Sequence, residues 1–234
     1  QAMLYERLLC PLDNFRATLT HFAQEGAKGC NVTVPFKFEA FALAARRTPR
    51  AELAQAANTL RFDAQADGGW LADNTDGVGL VRDITRNAGV PLAEKRVLLL
   101  GAGGASAGVL GPLIEARPAE IVMANRTVDK AQAIVDRHAA WAALHGVALK
   151  ARSLSEAGSA HDVFINGTAA SLAGSGVPVD LKARIAVSRV ASGPFWLIAP
   201  RPISTVLPSR STSRPSSGGW LHSWASNCLT SYMK

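Results

Sequence analysis

The chain reads as an α/β protein of two domains, the second built on a parallel sheet. Three observations carry this. From Arg96 onward, strand and helix signals alternate at the spacing of β-α-β units. A glycine cluster, Gly101, Gly103 and Gly104, stands where the first of those strands meets its helix. Upstream the alternation is less regular, so residues 1–78 form one domain, 79–185 a second, and 186–234 a tail of different grammar.

In the first domain, Asp13 is placed to cap a helix running to about Gln24, because Phe15, Leu19 and Phe22 recur at helical spacing and Gly26 follows. Cys30 to Val34 alternates as a strand. Pro35 lacks an N–H for the ladder and ends it, which leaves Lys37 at the strand end. Phe38 to Arg46 and Ala51 to Ala57 read as helices parted by Thr48-Pro49, since the residue before a proline avoids the helical region. In the second domain, Arg96 to Leu100 is a buried-type strand and Gly104 to Glu115 a helix. Glu120 to Ala124 is the next strand and Val128 to Leu144 a long helix, followed by short strands at Val147 to Ala151 and Asp162 to Asn166. Right-handed crossovers make the sheet doubly wound, with helices on both faces.

With 48% apolar residues the chain can fill real cores, yet no run of about 18 apolar residues predicts a membrane span. No signal peptide is expected, no C-x-x-C pair occurs, and Cys10, Cys30 and Cys228 lie far apart. A cytoplasmic protein with no metal site is expected. The net charge of +7 is unevenly spread: residues 188–234 hold Arg189, Arg201, Arg210, Arg214 and Lys234 without an acidic residue. The body is therefore close to neutral and gives no nucleic-acid signal. That last segment is also rich in serine and proline, shows no sustained periodicity, and reads as either disordered or translated out of frame.

The loop Gly101-Ala102-Gly103-Gly104-Ala105 follows a strand and opens a helix, the context in which backbone N–H groups and the helix dipole receive a pyrophosphate. Ser106 stands where the dinucleotide fingerprint has its third glycine, and is still small enough for close packing. The next strand ends in Asn125-Arg126-Thr127 and not in an acidic residue. A guanidinium suits a ribose 2′-phosphate, so Arg126, with Lys130 one helical turn on, points to NADP.

Three polar features lie upstream: Thr33 with Lys37, Asn58-Thr59-Leu60, and Asp73-Asn74-Thr75-Asp76-Gly77. Singly, each reads as strand, cap or turn chemistry. Taken with Gly101 to Ala105, Asn125 to Thr127 and Ile165-Asn166-Gly167-Thr168, their order and spacing resemble the shikimate dehydrogenase family over residues 3–175. The resemblance implies a substrate domain and a Rossmann-like NADP domain with the site in the cleft between them. It implies reversible reduction of 3-dehydroshikimate to shikimate by a soluble enzyme, for which a homodimer is an open arrangement. Lys37 and Asp76 match the family's catalytic pair, Thr33 and Asn58 its substrate-hydroxyl ligands, and Thr168 a position near the nicotinamide ribose. Gly101, Ala102, Gly103, Gly104 and Ala105 match its pyrophosphate loop, and Asn125, Arg126, Thr127 and Lys130 its 2′-phosphate pocket.

The chemistry suits those residue types. Hydride delivered to a ketone leaves negative charge on oxygen, which an ammonium both stabilises and protonates. Burial favours the neutral amine and a neighbouring Asp76 the ammonium, so the two are expected to act as a coupled pair. Against the family pattern, no Ser-x-Ser precedes Lys37, and residues 186–234 contain neither a D-x-x-Y segment nor a G-x-x-M-L-x-x-Q helix. The expectation is a partial enzyme. The alternatives are a quinate/shikimate dehydrogenase relative and a non-catalytic NADP-binding remnant.

Overall fold

The computed structural model describes residues 4–62 and 69–168, with the strands Val187–Ser192, Phe195–Pro200 and Leu229–Met233. The first half runs β1 (Tyr5–Leu9), α1 (Phe15–Gln24), β2 (Gly29–Asn31), α2 (Lys37–Leu43), β3 (Arg46–Arg47), α3 (Pro49–Ala54), β4 (Thr59–Arg61), β5 (Leu71–Asp73) and α4 (Asp76–Arg82). A π-helical turn, Asp83–Asn87, then leads to β6 (Arg96–Leu100), α5 (Gly104–Glu115), β7 (Glu120–Asn125), α6 (Val128–His145), β8 (Ala148–Ser153) and β9 (Val163–Asn166). The three remaining strands are β10 (Val187–Ser192), β11 (Phe195–Pro200) and β12 (Leu229–Met233).

Two sheets result. The first has the order β1-β12-β2-β4-β5-β3 and the second β10-β11-β9-β6-β7-β8. In the second, β9, β6, β7 and β8 are mutually parallel, as the alternating pattern predicts, while β10 and β11 form an antiparallel hairpin on the β9 edge. The segments VSRVAS and FWLIAP carry β-formers in runs too short to show a period, which is why sequence reading finds no element there.

In the first domain, Phe15, Leu19 and Phe22 are buried on α1, and Phe15 stacks on Phe36 at 4.5 Å between ring centroids. The cap differs from expectation. Asn14, not Asp13, is the N-cap, and its carbonyl accepts both the amide and the hydroxyl of Thr18. The strand expected to reach Val34 stops at Asn31, because the Phe36 amide turns back to the Thr33 carbonyl at 3.0 Å and Pro35 offers no ladder donor. Lys37 is therefore the first residue of a helix and not an end-of-strand charge. That helix ends at Leu43; Arg46, expected to be its last residue, and Arg47 instead pair in parallel with β5. Thr48 caps α3 through its side chain, with Pro49 at the first helical position. Cys10 and Cys30 are buried, and burial pushes the Cys30 thiol up to about 12.

In the second domain, α5 and α6 cover one face of the sheet, over Val97, Leu99, Ile121 and Met123. The opposite face, with Leu98, Leu100, Val122 and Phe164, packs on Ala157 and Leu154 from the connection after β8. Among the described residues no helix covers that face, and strand order explains this difference from the expectation. Steps from β6 to β7 to β8 move in one direction, so right-handed crossovers put both helices on one face. The return to β9 reverses direction, and there the connection is a loop. The reversal between β6 and β9 is a topological switch point, the place where open α/β sheets receive ligands. Among the described residues no helix is long and apolar enough to cross a membrane.

Candidate active site

Lys37 opens α2 and Asp76 opens α4, and both side chains point into the junction between the domains. Lys37 is 4% exposed, and its Nζ donates to Asp76 Oδ2. The other carboxylate oxygen, Oδ1, accepts from Asn58 Nδ2 at 2.9 Å, so Asp76 is held at both ends. Asn58 gives its second amide hydrogen to Thr75 Oγ1 at 2.9 Å and accepts the Thr75 amide at 3.0 Å. In this arrangement Asn58 orients the carboxylate that orients the lysine.

The loop from Asp73 to Asp76 is braced from below. Arg50 forks onto Asp73, Nε to Oδ1 at 2.7 Å and one terminal nitrogen to Oδ2 at 2.5 Å, while Thr48 Oγ1 donates to Oδ1 at 2.7 Å. These hydrogen bonds, Arg50's foremost, hold the Asp73 carboxyl below the usual carboxylate range. Asn74 donates to the Ala56 carbonyl at 2.9 Å and accepts the Asp76 amide at 3.2 Å. Its side chain lies against α5 at Gly108, where a Cβ would fall 2.7 Å from Asn74 Oδ1.

The nucleotide loop meets this cluster directly. A Cβ on Gly104 would lie 2.8 Å from the Cβ of Lys37. Gly101 has φ +98°, a backbone that only glycine adopts freely, and lies against Gly167 and Thr168. Ser106 is fully buried against Gly167, where a Cβ would strike its Oγ. The serine in place of a third glycine thus closes the β6-to-β9 switch point. A cavity of about 330 Å³ opens here. It is lined by Gly101 to Ala105, by Asn125, Arg126, Thr127 and Lys130, by Gly167 and Thr168, and by Lys37 from the other domain. Asn125 Nδ2 bonds the Thr127 carbonyl at 2.8 Å and shapes the β7 end, and Asn166 Oδ1 accepts both the amide and hydroxyl of Thr168. Arg126 and Lys130 are exposed, and among the described residues neither pairs with a carboxylate.

Two parts of one family match along the chain: the shikimate dehydrogenase substrate binding domain over residues 1–60, and shikimate/quinate 5-dehydrogenase over residues 83–174. A shikimate dehydrogenase (NADP(+)) from Methylibium petroleiphilum is 62% identical over 181 residues, which cover 75% of this chain and 60% of that protein. The chain belongs to the shikimate dehydrogenase family. It spans about 60% of the length of the relatives that it matches. Among solved structures, an Ael1 enzyme from Pseudomonas putida is 45% identical with a TM-score of 0.60, covering 73% of this chain and 60% of that one. Shikimate 5-dehydrogenase from Thermus thermophilus, solved with NADP(H) and shikimate, is 28% identical with a TM-score of 0.54, covering 68% and 55%.

The family's motif residues thus fall into two adjoining groups. Lys37, Asp76 and Asn58 form one hydrogen-bonded unit, and the nine residues from the pyrophosphate loop and the β7 end share the cavity beside it. Thr33 stands on the turn before Lys37, and its hydroxyl makes no hydrogen bond among the described residues. Sequence reasoning missed the bracing set Thr48, Arg50, Asp73 and Asn74. Asp73 and Asn74 were visible as part of D-N-T-D-G, but only the fold brings Arg50 to Asp73 across 23 positions.

Proposed function

We propose that this chain carries the site for reversible, NADP-dependent reduction of 3-dehydroshikimate to shikimate. The observation that supports it most is the buried Lys37–Asp76 pair in contact with Gly104 of the nucleotide loop. That contact fixes a proton donor at the mouth of a cofactor cavity. Bound NADPH supplies the hydride.

The chain's own residues do the rest. Lys37 Nζ carries three hydrogens; one is given to Asp76 Oδ2, and the others are free for the carbonyl oxygen of the substrate. As that oxygen gains negative charge, the ammonium stabilises it and transfers a proton. Asp76, fixed at Oδ1 by Asn58, keeps Nζ from turning away and restores the charged lysine from solvent afterwards. The Thr33 hydroxyl is available for a substrate hydroxyl. The cavity suits NADP rather than NAD, because the open N–H groups of α5 suit a pyrophosphate and Arg126 and Lys130, which pair with no carboxylate among the described residues, suit a 2′-phosphate.

Purified protein is assayed at the NADPH absorbance band, with shikimate and quinate each tested against NADP and NAD. Reduction of NADP with shikimate, lost in Lys37→Ala, is the expected result. Fluorescence titration showing NADPH binding without any shikimate-dependent turnover overturns catalysis and leaves a cofactor-binding protein.

A further inference from the structure

Asp76 Oδ1 belongs to a carboxylate and can only accept, so Asn58 has to turn Nδ2 toward it and Oδ1 away. On that far side Oδ1 accepts the Thr75 amide and the Thr59 hydroxyl, each at 3.0 Å. A hydroxyl has one hydrogen, and giving it to Asn58 leaves Thr59 Oγ1 as an acceptor. Asn31 Nδ2 meets that acceptor at 3.4 Å, and Asn31 Oδ1, left over, takes the Tyr5 hydroxyl at 3.1 Å. From the carboxylate outward, every group therefore has one donor–acceptor sense.

Strand register puts Thr59 at the centre of this chain of bonds. Asn31 on β2 lies opposite Thr59 on β4, and Thr59 lies opposite Asp73 on β5. Thr59 lies outside the cavity wall that Lys37 shares with the nucleotide loop. Asn58 is buried and Thr59 half-buried, so water is a poor substitute for the bond between them.

We infer that Thr59 is a positioning residue: its hydroxyl locks the Asn58 amide, and through it the carboxylate that holds Lys37 Nζ. The inference rests on the reading of Lys37 as the proton donor. The Thr75 amide also grips Asn58 Oδ1, but Thr75 belongs to the same loop as Asp76 and moves with it. Thr59 ties the amide to the sheet instead, a frame that this loop does not carry along.

Thr59→Val removes the hydroxyl at nearly constant shape and suits a strand, while Thr59→Ala removes it without leaving a methyl against Asn58 Oδ1. Thr59→Ser keeps the hydroxyl. The readout is the rate of reductive methylation at Lys37, by mass spectrometry, relative to the exposed Lys150 on β8 in the same sample. Both hydroxyl-free variants should raise that ratio about threefold or more, the scale of one hydrogen bond within a network, and Thr59→Ser should keep the wild-type value. Circular dichroism melts confirm which variants are folded. In turnover of NADP with shikimate, Thr59→Val should lower kcat by a similar factor and leave the KM for NADP unchanged, a split that lost packing alone does not produce. Methylation needs no turnover, so a wild type without dehydrogenase activity overturns the proposed function while the methylation ratio decides Thr59 separately. An unchanged ratio in any folded hydroxyl-free variant, or a rise in Thr59→Ser equal to theirs, overturns the assignment.

Discussion

Gly104 and Lys37 are in contact across the domain junction: the Cβ that glycine lacks would fall 2.8 Å from the lysine Cβ. Gly104 is the first residue of α5 and has no positive φ, so its backbone would accept alanine. The glycine is thus required by the lysine as much as by a phosphate. Gly104→Ala should displace Lys37 at an overpacking cost of about 1–3 kcal/mol. Urea unfolding measures the cost, and reductive methylation read by mass spectrometry should show Lys37 reacting faster. Unchanged Lys37 reactivity would show that the contact is slack.

The buried pair gives a second expectation. Removing one charge leaves the other desolvated and alone, which costs about 3–5 kcal/mol, whereas replacing both with apolar groups costs far less. Asp76→Asn and Lys37→Met should each destabilise strongly, and Lys37→Met with Asp76→Leu should recover most of the loss. A double-mutant cycle by chemical denaturation checks this. Single-variant costs below about 1 kcal/mol would mean that the pair is more solvated than its burial implies.

What the sequence disclosed and what it hid divide along physical lines. The β6-glycine loop-α5 unit was legible because strand, turn and helix cap are local features within residues 96–115. Arg126 was legible because it occupies a defined place after β7. Lys37 was found through its motif, but its setting was misread: alternation continues to Val34, while the strand ends at Asn31 and the chain turns between Thr33 and Phe36. The fork from Arg50 to Asp73 could not be read at all, since α3 and β5 meet only through tertiary packing. The same holds for the contact of α6 with α3, where Arg137 donates to the Ala54 carbonyl across 83 positions.

Arg50→Ala tests the brace beneath the Asp76 loop. The Arg50 hydrogen bonds are the main cause that lowers the Asp73 pKa, so without them that pKa should rise toward the ordinary carboxylate value. The guanidinium is partly exposed, and the stability loss should be modest, about 0.5–1 kcal/mol. Carboxyl-carbon NMR titration reads the pKa shift. No shift on mutation would assign the lowered value to Thr48 and the Asn74 amide instead.

His138 sets an acid limit on stability. Its ring is buried neutral, with a pKa of about 4 against 6.5 for a free imidazole. Below 6.5 the unfolded chain takes up a proton that the folded chain refuses, so stability is full above that value and falls as pH drops toward 4. The limiting slope is about 1.4 kcal/mol per pH unit. Asp73 acts in the same direction but lower, because its shift matters only below the ordinary carboxylate range. Urea midpoints measured across this range should therefore fall in two stages, and His138→Phe should remove the upper one. An unaltered profile in that variant would place the acid sensitivity elsewhere.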